Sequence, residues 1–147
     1  MEKQQFEKTI GNYVIIKRIG KGGMGEVYLA YDPICKRHVA LKRIRNDLRK
    51  NKNIQNRFLK EAKIASQLTH PSIIPIYSIH LDPPPIYYTM PYVEGETLKE
   101  ILQTTRENES KGLPLHKIGK SIPTLMRIFL NVCEAIAYTH AKGILHR

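Results

Sequence analysis

YVIIKRIGKGGMGEVYLAY, from Tyr13 to Tyr31, followed by Asp32-Pro33 and by HVALKRI from His38 to Ile44, is the stretch that decides the fold. The β-branched Val14, Ile15, Ile16 and Ile19 predict a strand that runs into Gly20, Gly22, Gly23 and Gly25. Beyond the glycines, Val27, Leu29 and Tyr31 recur at a spacing of two, which predicts a second strand and not a helix. Asp32-Pro33 marks a turn, and His38 to Ile44 reads as a third strand.

Working outward, residues 1–12 are polar and read as a loose leader. On the other side, Phe58, Ala62, Ala65 and Leu68 follow helical spacing, and His70-Pro71 ends that helix. Two short strands are expected around Ile76 to His80 and Ile86 to Met90, separated by Asp82-Pro83-Pro84-Pro85, which cannot join a hydrogen-bonded ladder. Thr97 with Glu100 fits a capping box for a helix through about Gln103, and residues 104–121 read as a connecting insertion. Leu125, Ile128, Phe129, Val132, Cys133, Ile136, Ala137 and His140 form the stripe of a last amphipathic helix, with Pro123 near its first turn and Gly143 past its end. Cys133 on that stripe reads as a core residue. The order predicts an α+β chain: five strands with one intervening helix, then a helical part.

The 147 residues match one ordinary domain, and 41% hydrophobic with 25% charged residues excludes wholesale disorder and collagen-like repeats. The net charge of +11 favours anionic partners. Eleven basic residues between Lys36 and Lys63 face only Asp47 and Glu61, so this stretch carries nearly all of the excess. No aromatic residues interleave with those charges as a base-stacking platform requires, so a solvated face is the simpler reading and no nucleic-acid partner is expected. Cys35 and Cys133 are isolated thiols without metal-ligand spacing, which points to a reducing, cytoplasmic compartment and to no metal site. No run is long and apolar enough to span a bilayer, and MEKQQFEKT is too polar for a signal peptide.

GKGGMG, from Gly20 to Gly25, satisfies G-x-G-x-x-G, a pattern shared by several folds. A dinucleotide-binding loop needs a helix opening on the third glycine, whereas a period-two strand follows here. A Walker A loop needs Lys then Ser or Thr after its last glycine, where Glu26 and Val27 stand. What remains is a glycine hairpin whose bare backbone can approach phosphates, set against a plain turn with spare glycines. Lys42 follows the apolar Val39-Ala40-Leu41, so its stem is expected to be half-buried; snorkelling to water is the alternative. Glu61, the only acid on the predicted helix, lies three residues after Phe58 and four before Ala65 and so along the apolar face. A carboxylate buried there needs a partner. An ion pair from Lys42 to Glu61 satisfies both groups and holds the ammonium for a phosphate.

These residues resemble the protein kinase superfamily, specifically the bacterial eukaryotic-like (Hanks-type) serine/threonine kinases. The resemblance rests on IGKGGMGEV (Ile19 to Val27), VALK ending at Lys42, Glu61 within FLKEAKIASQLTHP, MPYVEG (Met90 to Gly95) and ILHR at the end of the sequence. It implies a kinase small lobe, with a five-stranded antiparallel sheet and one regulatory helix over residues 13–93, and the first helices of a large lobe over 94–147. It also implies an ATP site. Ile19, Val27 and Ala40 would sandwich the adenine; Gly20, Gly22 and Gly25 would cover the phosphates, with Lys21, Gly23, Met24 and Glu26 of the same loop also among the ATP-binding residues; Lys42 would contact the α- and β-phosphates and Glu61 would orient it. Met90 would be the gatekeeper, the Pro91 carbonyl would accept from the adenine amino group and the Val93 N–H would donate to the ring. Pro91 stands where the family usually has Glu, which leaves the carbonyl but removes a backbone N–H and a side-chain contact.

The family's catalytic loop reads H-R-D-x-x-x-x-N, and this sequence stops at His146-Arg147. The catalytic Asp, the metal-binding Asn and the D-F-G Asp that would hold Mg²⁺ are not among these residues. The resemblance therefore implies an ATP-binding part of a kinase that acts on protein substrates, with these 147 residues inactive alone. It also implies an exposed apolar stripe on the last helix and a tendency to aggregate. A non-catalytic module that binds nucleotide or a protein partner is the competing expectation.

Overall fold

The computed structural model describes residues 9–145. Its elements are β1 (Thr9–Ile10), β2 (Tyr13–Lys21), β3 (Gly25–Asp32), β4 (Arg37–Ile44), α1 (Lys52–Ser66), β5 (Ser78–His80), β6 (Tyr87–Pro91), α2 (Leu98–Ser110) and α3 (Ile122–Ala141). They form two compact units, one reaching Thr69 and including Ile74–Val93, the other comprising His70–Ile73 and the chain from Glu94 onward.

The first unit is one antiparallel sheet of order β1-β2-β3-β4-β6-β5 together with α1. It has six strands where five are expected. The extra one, β1, falls within the polar leader and joins β2 through a two-residue turn, Gly11-Asn12, with Gly11 at φ +55°. That turn is a hairpin signal in its own right. The β3–β4 turn is fixed by Asp32, whose Oδ1 accepts from the backbone N–H groups of Ile34 and Cys35, both at 3.1 Å.

Side chains alternate along each strand, so the register sorts them onto two faces. Tyr28 lies opposite Leu41 and Ala30 opposite Val39; these join Ile10 and Tyr87 in one buried cluster, with Tyr13 and Ile15 against it. The Val27, Leu29 and Tyr31 face expected from spacing is the other face, and on β3 it is the less buried of the two. There Ile44 and Tyr88 pack on Phe58 and Ala62 of α1, with Met90 against them. Phe58 has no exposed surface, and truncating such a ring to Ala costs about 3–5 kcal/mol. Helix α1 begins where the Asn51 side chain accepts from the N–H groups of Asn53 and Ile54. It stops at Ser66, four residues before the expected His70-Pro71 boundary.

In the second unit, Thr97 and Glu100 form the expected capping box. Helix α2 then continues to Ser110, so the first part of the expected insertion at 104–121 is helical. Gly112, at φ +66°, follows its end. Helix α3 is capped by Ser121 and carries Pro123 in its first turn. Its expected stripe divides: Phe129, Val132, Cys133, Ala137 and His140 are exposed, Leu125, Ile128 and Ile136 are half-buried, and the buried positions are Ala135 and Thr139. Cys133 is therefore not the core residue that its spacing suggests.

Candidate nucleotide-binding site

The glycine hairpin is tied down at one end and open at the other. Gly22 donates its N–H to the Gly25 carbonyl at 2.8 Å, and the Met24 carbonyl accepts from the Arg45 N–H at 3.1 Å, so the end of β4 holds the descending arm. A Cβ on Gly25 would fall 2.9 Å from the Arg43 carbonyl oxygen, closer than real Cβ contacts come, whereas one on Gly23 would meet nothing within 4 Å. Glycine at 25 is thus demanded by packing, and at 23 it leaves bare main chain in the open. Bulges in β2 fall at Ile16 and Ile19, so Ile19 is the extra residue just before Gly20, and Gly20 pairs with Val27. Lys21 is exposed at the end of β2, opposite Glu26.

Two cross-strand rows on the α1 side assemble the rest. Val27, Lys42 and Tyr88 form one row, and Leu29, Ala40 and Met90 the next. Lys42 Nζ donates to Glu61 Oε1 at 2.5 Å, which makes the expected ion pair. Burial pulls the ammonium pKa down, but hydrogen bonds with Glu61 and Tyr88 outweigh it and hold Lys42 above the usual lysine range. Glu61 differs from expectation in one respect. Its side chain keeps 43% of its surface exposed, because helical position puts it at the margin of the face whose centre is Phe58 and Ala62. Burial therefore does not fix it; its partners do.

Glu26 departs from the expected site. Alternation turns its side chain to the opposite face, where it accepts from Arg18 at 3.2 Å and from the Tyr28 hydroxyl at 2.8 Å. Arg43 Nη2 donates to the same hydroxyl at 3.1 Å and lies 4.0 Å from Glu26. Only the main chain of Glu26 remains beside the hairpin. Arg43 is 6% exposed, so one of the basic residues that composition assigns to the surface is buried. Met90 is half-buried, Pro91 closes β6 opposite Val39, and Val93 is exposed beyond it. Arg147 and His146 lie outside the described residues. Among the described residues no three His, Cys, Asp or Glu side chains gather where a metal ion could sit.

An antiparallel sheet with a glycine hairpin over a lysine that is paired to a helix glutamate defines the small lobe of a protein kinase. The chain belongs to the protein kinase domain family, which matches residues 13–147. It is 58% identical over 135 residues to serine/threonine-protein kinase PknD of Protochlamydia amoebophila (strain UWE25), and 53% identical to that of Chlamydia caviae, covering 92% of this chain and 14% of each relative. The chain thus spans about one seventh of the length of these curated relatives. Among solved structures, the PpkA-294 apo form aligns with a TM-score of 0.73 and 26% identity, over 95% of this chain and 52% of that one. The Mycobacterium tuberculosis PknI kinase domain aligns at 0.61 and 26%, over 95% of this chain and 53% of that one.

Proposed function

We propose that residues 13–93 form the ATP-binding small lobe, and residues 94–147 the start of the large lobe, of a serine/threonine kinase that phosphorylates protein hydroxyls. The observation that carries this is the Lys42–Glu61 pair, on the same sheet face as Val27 and next to a hairpin that Gly25 keeps close to β4. The residues fit ATP by chemistry: bare main-chain N–H groups, a fixed ammonium, and an apolar strip of Val27, Ala40 and Met90. In this reading the main chain from Gly20 to Val27 binds the phosphates, with Lys42 at the α- and β-phosphates and Glu61 holding Lys42. Ile19, Val27 and Ala40 pack on the adenine, Met90 limits its depth, the Pro91 carbonyl accepts from its amino group and the Val93 N–H donates to its ring. ATP supplies the γ-phosphoryl group when bound.

The described residues offer no carboxylate cluster for Mg²⁺. Without an acceptor-positioning Asp or metal ligands, these 147 residues on their own bind ATP but do not transfer its phosphoryl group. The two free cysteines support a reducing, cytoplasmic setting. No helix among the described residues is long and apolar enough to cross a membrane. The basic stretch, with Arg37 near Asp32 and Arg45 paired to Asp47, supports a charged surface over a nucleic-acid interface.

Calorimetric titration of the purified chain with ATP tests the site. A charged hydrogen bond is worth about 1.5–3 kcal/mol, so Lys42→Ala is expected to weaken affinity roughly ten- to hundredfold. Affinity unchanged by that substitution overturns the site, and transfer of labelled γ-phosphate by the mass-checked chain overturns the statement on activity.

A further inference from the structure

The Lys42–Glu61 pair has a third member. Tyr88 sits beside Lys42 in the β4–β6 register, and its hydroxyl donates to the same Oε1 of Glu61, at 3.2 Å, that takes the Lys42 ammonium at 2.5 Å. The Lys42 Nζ lies 5.5 Å from the centre of the Tyr88 ring and 5.9 Å from that of Phe58, and the two rings are 5.2 Å apart. The ammonium therefore has two neighbouring rings within 6 Å and one carboxylate oxygen at hydrogen-bond distance.

The three members are held to different degrees. Glu61 is nearly half exposed at the margin of a helix, and an exposed ion pair contributes little because solvent screens it and two long side chains lose freedom. Tyr88 is 5% exposed, lies in a strand flanked on both sides, and packs on Phe58, which has no exposed surface. The phenol, on a strand paired on both sides, is the most enclosed of the three side chains. Burial pushes its pKa up, against the pull of Lys42, so it keeps its proton at neutral pH and can donate.

We propose that Tyr88 is a positioning residue for the nucleotide lysine: its hydroxyl anchors Glu61 Oε1 so that the carboxylate holds Lys42 in the orientation a phosphate needs. This rests on the ATP-binding reading above. Tyr88 touches Glu61 and Lys42 and is given no contact with nucleotide, so its effect passes through the pair.

The test uses the whole chain, with the non-hydrolysable analogue AMPPNP as probe. Tyr88→Phe keeps the ring and removes one hydrogen bond. It is expected to leave the melting temperature within a few degrees and to weaken AMPPNP binding about three- to tenfold. In a Glu61→Ala background the same substitution is expected to change affinity by less than about twofold, because the anchored group is gone. A role confined to packing would give the same loss in both backgrounds, and that result overturns the proposal, as does full affinity in Tyr88→Phe. Should Tyr88→Phe fail to fold, the wild-type phenol decides. Followed by its ring-carbon NMR signal, it is expected to titrate at lower pH in Glu61→Ala than in wild type, and an unchanged titration overturns the contact. Absence of AMPPNP binding by the wild-type chain, or binding indifferent to Lys42→Ala, overturns the nucleotide reading itself, and the phenol titration still reports on the Tyr88–Glu61 contact.

Discussion

Replacing Gly25 with Ala adds one methyl group where the structure has no room for it. The new Cβ would lie 2.9 Å from the Arg43 carbonyl oxygen and at ordinary distances, 3.5 and 3.7 Å, from the Lys42 stem. The Lys42 contacts need no adjustment, so the strain falls on backbone. Relief requires β3 and β4 to part by a few tenths of an ångström where Gly25 pairs with Ile44 and Glu26 with Arg43. Overpacking against groups that cannot rotate away costs about 1–3 kcal/mol. For a unit of this size each kcal/mol is worth about 4–8 °C in melting temperature. Gly23→Ala is the matched control, because a Cβ there meets nothing within 4 Å, and its effect is expected within about 0.5 kcal/mol. Thermal and urea unfolding of the two variants, side by side with wild type, measure the difference. If Gly25→Ala and Gly23→Ala melt within about 2 °C of each other, the close approach of β3 to the Arg43 carbonyl is wrong.

Thr97→Ala removes the side-chain half of the α2 capping box, leaving the backbone N–H of residue 97 on Glu100, and is expected to destabilise the second unit by about 1 kcal/mol, read as faster amide exchange over Leu98–Ile101 with α1 amides unaffected. The Cys35 N–H, acting against the effect of burial and helped by the Ile34 N–H and Arg37, holds the Asp32 carboxyl below its usual pKa. A depressed carboxyl contributes stability above its unfolded pKa and loses it as pH falls through the folded one. The denaturation midpoints of wild type and Asp32→Asn should therefore separate at pH 7 and converge as the pH drops below the ordinary aspartate range.

Elements set by short-range physics are legible in the residues that form them. The six-residue glycine segment between two β-branched runs, the Thr97–Glu100 cap and the Asp32-Pro33 turn each act over a short span, and the structure has each of them. The readings that failed rest on weak signals or on partners far along the chain. Strand β1 has only two residues, and its partner across Gly11-Asn12 is what makes it a strand. The end of α2 is marked by Gly112, directly after eight polar residues, Thr104 to Lys111, that carry little periodicity. At the site, Lys42 and Glu61 were legible because a cation in an apolar strand and a lone acid on a basic helix each require a partner. Tyr88 was not, because its place beside Lys42 depends on pairing β4 with β6 across more than forty residues. Glu26 belongs to the run that the resemblance implies for ATP, but strand alternation from Val27, Leu29 and Tyr31 turns its side chain to the other face, toward Arg18 and Tyr28.

Strand β4 carries Lys42 and Arg43 as neighbours with opposite assignments, one toward Glu61 and the other toward Glu26 and Tyr28. Both rows depend on counting residues from the β3–β4 turn. Losing or gaining a single residue between His38 and Leu41 would present the wrong side chain to Glu61 and the wrong one to Tyr28 in the same stroke. Divergence in this strand is therefore open to exchange of one residue for another at its unassigned positions and closed to a one-residue change in its length.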